Sequence, residues 1–113
     1  MSGHLTRQSW CWVYIVRCRD GTYYTGSTHD LRGRVRLHNA GNGAKYIRGR
    51  GPVRVVYAKR YRDHQRALSA EWRVKQLSRA QKETLIRASA RRLRKLENRL
   101  AVLSENTNRP SCC

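Results

Sequence analysis

Trp12-Val13-Tyr14-Ile15-Val16-Arg17-Cys18 is followed by Asp20-Gly21 and then by Thr22-Tyr23-Tyr24-Thr25, and the way these residues pair decides the fold. β-Branched and aromatic side chains fill both runs, which suits a pleated strand, and Asp-Gly between two such runs is a strong hairpin signal. The length of the loop then decides which tyrosines share a face. A two-residue Asp20-Gly21 turn would pair Arg17 with Tyr24, put Tyr14 and Tyr24 on opposite faces and favour Tyr23. A three-residue loop or a bulge would bring Tyr14 and Tyr24 to one face.

Downstream of the hairpin, Asp30 suits the cap of a helix running to about Asn39, with Leu31, Val35 and His38 on one side, although Gly33 costs it about 1 kcal/mol relative to Ala. Gly41, Gly43, Gly49, Gly51 and Pro52 break the chain into a loop, and Val53-Arg54-Val55-Val56-Tyr57-Ala58 reads as a third strand that joins the hairpin sheet. Asp63 suits the cap of a second helix whose apolar positions are Ala67, Leu68, Ala70, Val74 and Leu77. Ser78 suits the cap of a third, which extends through Leu96, Leu100 and Leu103. The expected fold class is α/β (α+β): a small three-stranded mixed or antiparallel sheet flanked by helices, with a basic C-terminal helical extension. The expected organisation is a loose N-terminus over 1–9, a folded domain over 10–87, the extension over 88–103 and a loose tail over 104–113.

A chain of 113 residues fits one domain, and apolar residues at 39% are enough to give it a core. Its 25 Lys plus Arg against 7 Asp plus Glu leave a formal charge of +18, an excess that repels itself unless a polyanion is the usual partner. Nucleic acid is the first expectation, and charge alone fits equally a protein that binds phosphate chains without altering them. No apolar run approaches a membrane span and Met1-Ser2-Gly3-His4-Leu5-Thr6-Arg7 lacks the apolar core of a signal peptide, so the expected setting is cytoplasmic or nucleoid-associated, with no membrane partner. Cys11 and Cys18 are separated by six intervening residues and Cys112 and Cys113 are adjacent, a spacing unlike that of a zinc site, so all four read as reduced thiols.

Divalent magnesium or manganese needs hard oxygen donors, and the seven acidic residues can be sorted by elimination. Asp20 belongs to a turn, Asp30 and Asp63 suit caps, and Glu83, Glu97 and Glu105 sit among basic or polar neighbours. Glu71 remains, at or beside the face of the second helix that meets the sheet, where it either binds a metal or forms a buried ion pair with an arginine. Arg34 and His38, four apart on the first helix, project together, so a guanidinium and an imidazole can meet one phosphodiester; a structural histidine is the simpler alternative. Tyr14 and Tyr24 can pass a proton near a metal and an imidazole, or merely pack. The loop from Asn39 to Gly51 mixes glycines with the cations Lys45, Arg48 and Arg50, which suits holding a DNA or RNA backbone, or serves as an ordinary connection. Arg87, Arg91, Arg92, Arg94, Lys95 and Arg99 stud the last helix, as a solvated face, a phosphate-backbone contact or an anionic membrane contact, with the first two favoured.

Taken together these residues resemble the GIY-YIG nuclease superfamily. Its two strand motifs correspond to Trp12-Val13-Tyr14 and Tyr24-Thr25-Gly26, its arginine helix to Leu31–Asn39, the turn before its third strand to Gly49-Arg50-Gly51-Pro52-Val53, and its glutamate region to Ala70-Glu71-Trp72. Trp12 stands in place of the glycine of the first motif, and Thr25 fills the middle of the second. The chain is most similar to small, stand-alone bacterial members of the superfamily. The resemblance implies a three-stranded sheet flanked by helices and metal-dependent endonuclease action on DNA, in repair or processing, with Mg²⁺ or Mn²⁺. It also implies roles: Tyr14 activates water with help from His38, Tyr24 supports that network or the phosphate, Arg34 neutralises phosphate charge, and Glu71 binds one divalent cation. Specificity would come from the basic loop, the C-terminal helix or a protein partner. The alternative is a catalytically weak or inactive nucleic-acid-binding module using the same basic surface.

Overall fold

The computed structural model describes residues 10–43 and 47–97 of the 113. Three strands, β1 Cys11–Arg17, β2 Tyr23–Thr28 and β3 Arg54–Tyr61, form one sheet in the order β2-β1-β3, antiparallel throughout. The helices are α1 Leu31–Asn39, between β2 and β3, then α2 His64–Lys75 and α3 Arg79–Ala88, with residues 90–97 helical again. This is the α+β arrangement that the sequence predicts.

The central strand explains why its sequence runs apolar without alternation. Val13, Tyr14, Ile15 and Val16 are all fully buried because both faces of the sheet are covered. Cys11, Val13 and Ile15 pack with Ala67, Ala70 and Val74 of α2, joined by Leu85 and Ile86 of α3. Tyr14, Val16 and Cys18 point the other way, to Leu31 of α1, Ile47, Val53 and Ala58, with Val35, Leu93 and Leu96 alongside. Burying each large aliphatic side chain contributes roughly 1.5–3 kcal/mol, so β1 is the anchor of both layers. The β1–β3 pairing is regular until Ile15↔Tyr57 and resumes at Val16↔Val55, leaving Val56 as a bulge.

The helix starts follow the expected caps. Asp30 accepts a hydrogen bond from the Gly33 amide at 3.0 Å, and Asp63 one from Arg66 at 2.8 Å. Ser78 and Gln81 form a reciprocal capping box. Gly33 lies in the first turn, where a Cβ would collide with the Asp30 carboxylate, so its propensity cost is offset by a cap worth about 1 kcal/mol.

Two expectations are corrected. Leu68 is 46% exposed, because Ala67, Ala70 and Val74 already form the buried stripe and Leu68 lies 100° round the helix from Ala67. The third helix does not run on unbroken: it ends at Ala88, Ser89 forms a turn, and the helix resumes over 90–97. Leu85 and Ile86 pack on one face of the sheet and Leu93 and Leu96 on the other, and one straight helix cannot lie on both. Leu100 and Leu103 lie outside the described residues.

Candidate active site

The site begins with the hairpin loop. Cys18 donates to the Thr22 carbonyl at 2.8 Å and Gly21 to the Cys18 carbonyl at 2.9 Å, closing a three-residue loop, Arg19-Asp20-Gly21, with Gly21 in the left-handed region at φ +89°. Asp20 holds the turn by accepting from the Thr22 amide and hydroxyl. The register is therefore Arg17↔Tyr23, Val16↔Tyr24 and Tyr14↔Gly26, which puts Tyr14 and Tyr24 on one face.

Tyr14 reaches across β2 at Gly26. A Cβ at Gly26 would stand 2.7 Å from the Tyr14 hydroxyl, 2.9 Å from its Cζ and 3.1 Å from Cε2 of Tyr24. Glycine is thus required by a ring lying over the strand. On the far side of the ring, the Tyr14 hydroxyl meets Nε2 of His38 at 3.1 Å in a buried hydrogen bond. The centroid separations are 6.4 Å for Tyr14 and Tyr24, 6.0 Å for Tyr14 and His38, and 5.8 Å for Tyr24 and His38, so the three rings form one cluster.

Arg34 sits one turn before His38 on α1, half-buried. Burial, more than the Arg34 charge, holds the His38 imidazole below its usual pKa and so neutral. Nδ1 of His38 is buried without a hydrogen-bond partner among the described residues, and a Cβ at Gly43 would collide with it. Burial is also the main cause that pushes the Tyr14 phenol up to about 12. Tyr24 adds to the rise, Arg34 opposes it, and Glu71 contributes a further increase. Arg34 thus favours the phenolate and Glu71, more weakly, the phenol.

Glu71 comes from the opposite face. Its side chain is 15% exposed and holds two partners: the Ser27 hydroxyl donates to Oε1 at 2.7 Å and Lys75 pairs with Oε2 at 2.9 Å. The ion-pair partner is thus the lysine one turn on, not an arginine. The other described carboxylates are accounted for largely as expected, with Glu83 taken by Arg79 and Tyr23. Of the loop cations, Arg48 is exposed and donates to the Gly43 carbonyl, Arg50 pairs with Asp20 at the hairpin tip, and Lys45 lies outside the described residues. Asn39 fixes the loop's exit through a 2.6 Å bond from the Val53 amide.

Tyr14, Tyr24 and His38 are brought together, with Arg34 one turn before His38 on α1, while Glu71 lies on the other face, tied to Ser27 of β2. Sequence reasoning missed Gly26 and Gly43 as steric permissions and Ser27 and Lys75 as partners of Glu71. Lys75 alone was open to it, as the i+4 neighbour of Glu71 on a helix.

Residues 10–84 match the family model described as the GIY-YIG catalytic domain. A UPF0213 protein of Halobacterium salinarum is 55% identical over 73 residues, 65% of this chain and 95% of that protein. One from Oceanobacillus iheyensis is 49% identical over 75 residues, 66% of this chain and 87% of that one. The solution NMR structure of the UPF0213 protein BH0048 from Bacillus halodurans is 44% identical and covers 70% of this chain and 84% of its own, at a TM-score of 0.47. Nucleic acid is the class of partner that this nuclease fold implies, and the chain belongs to the GIY-YIG superfamily.

Proposed function

We propose that the protein is a divalent-metal-dependent endonuclease that hydrolyses phosphodiester bonds in DNA, with Tyr14, Tyr24, Arg34, His38 and Glu71 as its machinery. The observation that carries this reading is the buried Tyr14–His38 hydrogen bond of 3.1 Å, with Tyr24 packed beside both rings. A phenol with its pKa near 12 is a poor base alone. It becomes useful when its own proton has somewhere to go, and a neutral imidazole at hydrogen-bond distance supplies that place.

In the proposed reaction a water oxygen attacks phosphorus and gives its proton to Oη of Tyr14 as Tyr14 passes its own to Nε2 of His38. The new P–O bond forms, the bond to the leaving sugar oxygen breaks, and that oxygen takes a proton from solvent. Arg34 offsets the negative charge that grows on the phosphoryl oxygens, and Tyr24 orients the phosphate from the open side of the ring cluster. Glu71 offers hard carboxylate oxygens, the donor type that Mg²⁺ or Mn²⁺ takes, and one carboxylate completed by water and phosphate is a common magnesium arrangement. A divalent cation held by Glu71 would supply Lewis-acid polarisation of the phosphate and charge stabilisation at the leaving oxygen. Arg48, Arg50 and Lys45 are proposed to track the DNA backbone, with the basic residues after Arg87 as an extension of that surface.

The Lys75–Glu71 pair favours one alternative, a catalytically weak nucleic-acid-binding module, because a cation already sits on the carboxylate. Labelled single-stranded, duplex and branched DNA, incubated with Mg²⁺ or Mn²⁺, separates the two readings. Metal-dependent cutting that Glu71→Ala and Arg34→Ala abolish while binding persists supports the nuclease. Salt-sensitive binding with no cutting on any substrate supports the module.

A further inference from the structure

A second cluster of ligating side chains lies apart from the ring cluster, where the start of β1, the turn after β2 and the first turn of α2 meet. Cys11, His29 and His64 each offer one ligand atom, and these atoms all lie within 4.8 Å of one another. Sγ of Cys11 stands 3.9 Å from Nδ1 of His64, across 53 residues of sequence. Thiolate and imidazole donors bound to zinc at about 2.0–2.3 Å in a tetrahedron stand roughly 3.3–3.8 Å apart, so the cluster closes on an ion with small side-chain rotations.

A second observation points the same way. Nδ1 of His29 lies 2.6 Å from the Trp10 carbonyl. A carbonyl only accepts, so Nδ1 is the donor there, and Nε2 is the nitrogen left for a ligand. An imidazole tethered to a backbone carbonyl through one nitrogen, with the other free to ligate, is the arrangement that orients metal-binding histidines. His29 and His64 also stack at 5.7 Å with 26° between their planes, holding two imidazoles side by side at the rim, while Cys11 supplies a buried floor.

We propose that Cys11, His29 and His64 form a zinc site, with a fourth position open to water. The donor set of one thiolate and two imidazoles selects a borderline-soft ion and sets the site apart from the hard carboxylate of Glu71. Binding replaces the Cys11 thiol proton, which leaves to solvent, and ties three segments into one unit. Cysteine spacing gives no sign of the site, because its ligands come from three distant stretches of chain.

The test is titration of the metal-free, reduced full chain with Co²⁺, read by the near-ultraviolet thiolate-to-cobalt charge-transfer band. The expected result is a band saturating at one equivalent and displaced by Zn²⁺. It survives the double substitution Cys112→Ser with Cys113→Ser, and is lost or weakened at least tenfold in affinity by Cys11→Ser, His29→Ala and His64→Ala. Both histidines are exposed, so their variants keep the fold even where Cys11→Ser does not, and circular dichroism checks this. Absence of the band, or a band indifferent to both histidine substitutions, overturns the proposal. DNA cleavage is not read, so the outcome is independent of the nuclease assay.

Discussion

Replacing Gly26 by alanine tests the geometry of the site with one methyl group. The added Cβ would stand 2.7 Å from Oη and 2.9 Å from Cζ of Tyr14, and ordinary contact begins near 3.4 Å, so the ring must retreat by about 0.5–0.7 Å. Tyr14 is fully buried, so its retreat must displace packed neighbours, and overpacking of this kind costs about 1–3 kcal/mol. At about 4–8 °C per kcal/mol for a domain of this size, the melting temperature should fall by roughly 4–24 °C. The same displacement disturbs the 3.1 Å bond to His38. A shift approaching 1 Å at a reacting group costs on the order of a hundredfold in rate. Thermal unfolding and metal-dependent cleavage are measured on Gly26→Ala, Tyr14→Phe and the double variant. The stability losses should be less than additive, because removing Oη relieves the closest clash, whereas cleavage stays low in all three. Wild-type melting and cleavage in Gly26→Ala would refute the claim that Tyr14 crosses the strand at this position.

Gly43→Ala drives a Cβ into Nδ1 of His38 and should lower cleavage at least tenfold with DNA binding retained, as gel shift and cleavage on one substrate will report. Lys75→Met removes the cation paired with Glu71, so the metal concentration for half-maximal cleavage should fall severalfold; an increase would mean that Lys75 positions the carboxylate rather than competing for it. Burial holds His38 below its usual pKa of 6.5, so cleavage should be flat at neutral pH, with an acid limb whose midpoint lies below 6.5 and which disappears in His38→Ala. Stability follows the same groups. As pH falls below 6.5 the unfolded chain takes up the His38 proton first, so the folded state weakens. Tyr14, raised from 10 to about 12, contributes stability that is intact below pH 10 and is lost as pH rises towards 12, which pH-dependent denaturant melts will show.

What the sequence revealed was local chemistry. Asp30, Asp63 and Ser78 announce their helices because a short polar side chain before an amphipathic run has few better places to be. Arg34 and His38 are legible as a pair because helical spacing alone puts them together. The loop length was not legible: Asp-Gly serves both a two-residue turn and the last two positions of a three-residue loop, and the structure takes the latter, with Asp20 holding Thr22. Ser89 was equally silent, since a serine within a helical pattern carries no sign that the chain changes face there. Cys11, His29 and His64 meet only after the sheet and α2 have assembled.

The deepest gap concerns how Glu71 and Tyr14, on opposite faces of a sheet, can belong to one site. Neighbouring residues of β2 supply the answer, because successive side chains of a strand point to opposite faces. Gly26, on one face, makes room for the Tyr14 ring to extend over the strand. Ser27, on the other, ties Oε1 of Glu71 to the same strand at 2.7 Å. β2 is an edge strand, with no neighbour among the described residues to separate the two faces, so in the proposed site the phenol and the carboxylate serve one phosphodiester from either side of its rim. A central strand in this position would have kept them apart. The order β2-β1-β3 is thus a requirement of the proposed chemistry: the strand carrying Tyr24, Gly26 and Ser27 must lie at the edge, where a phosphodiester backbone can reach both faces together.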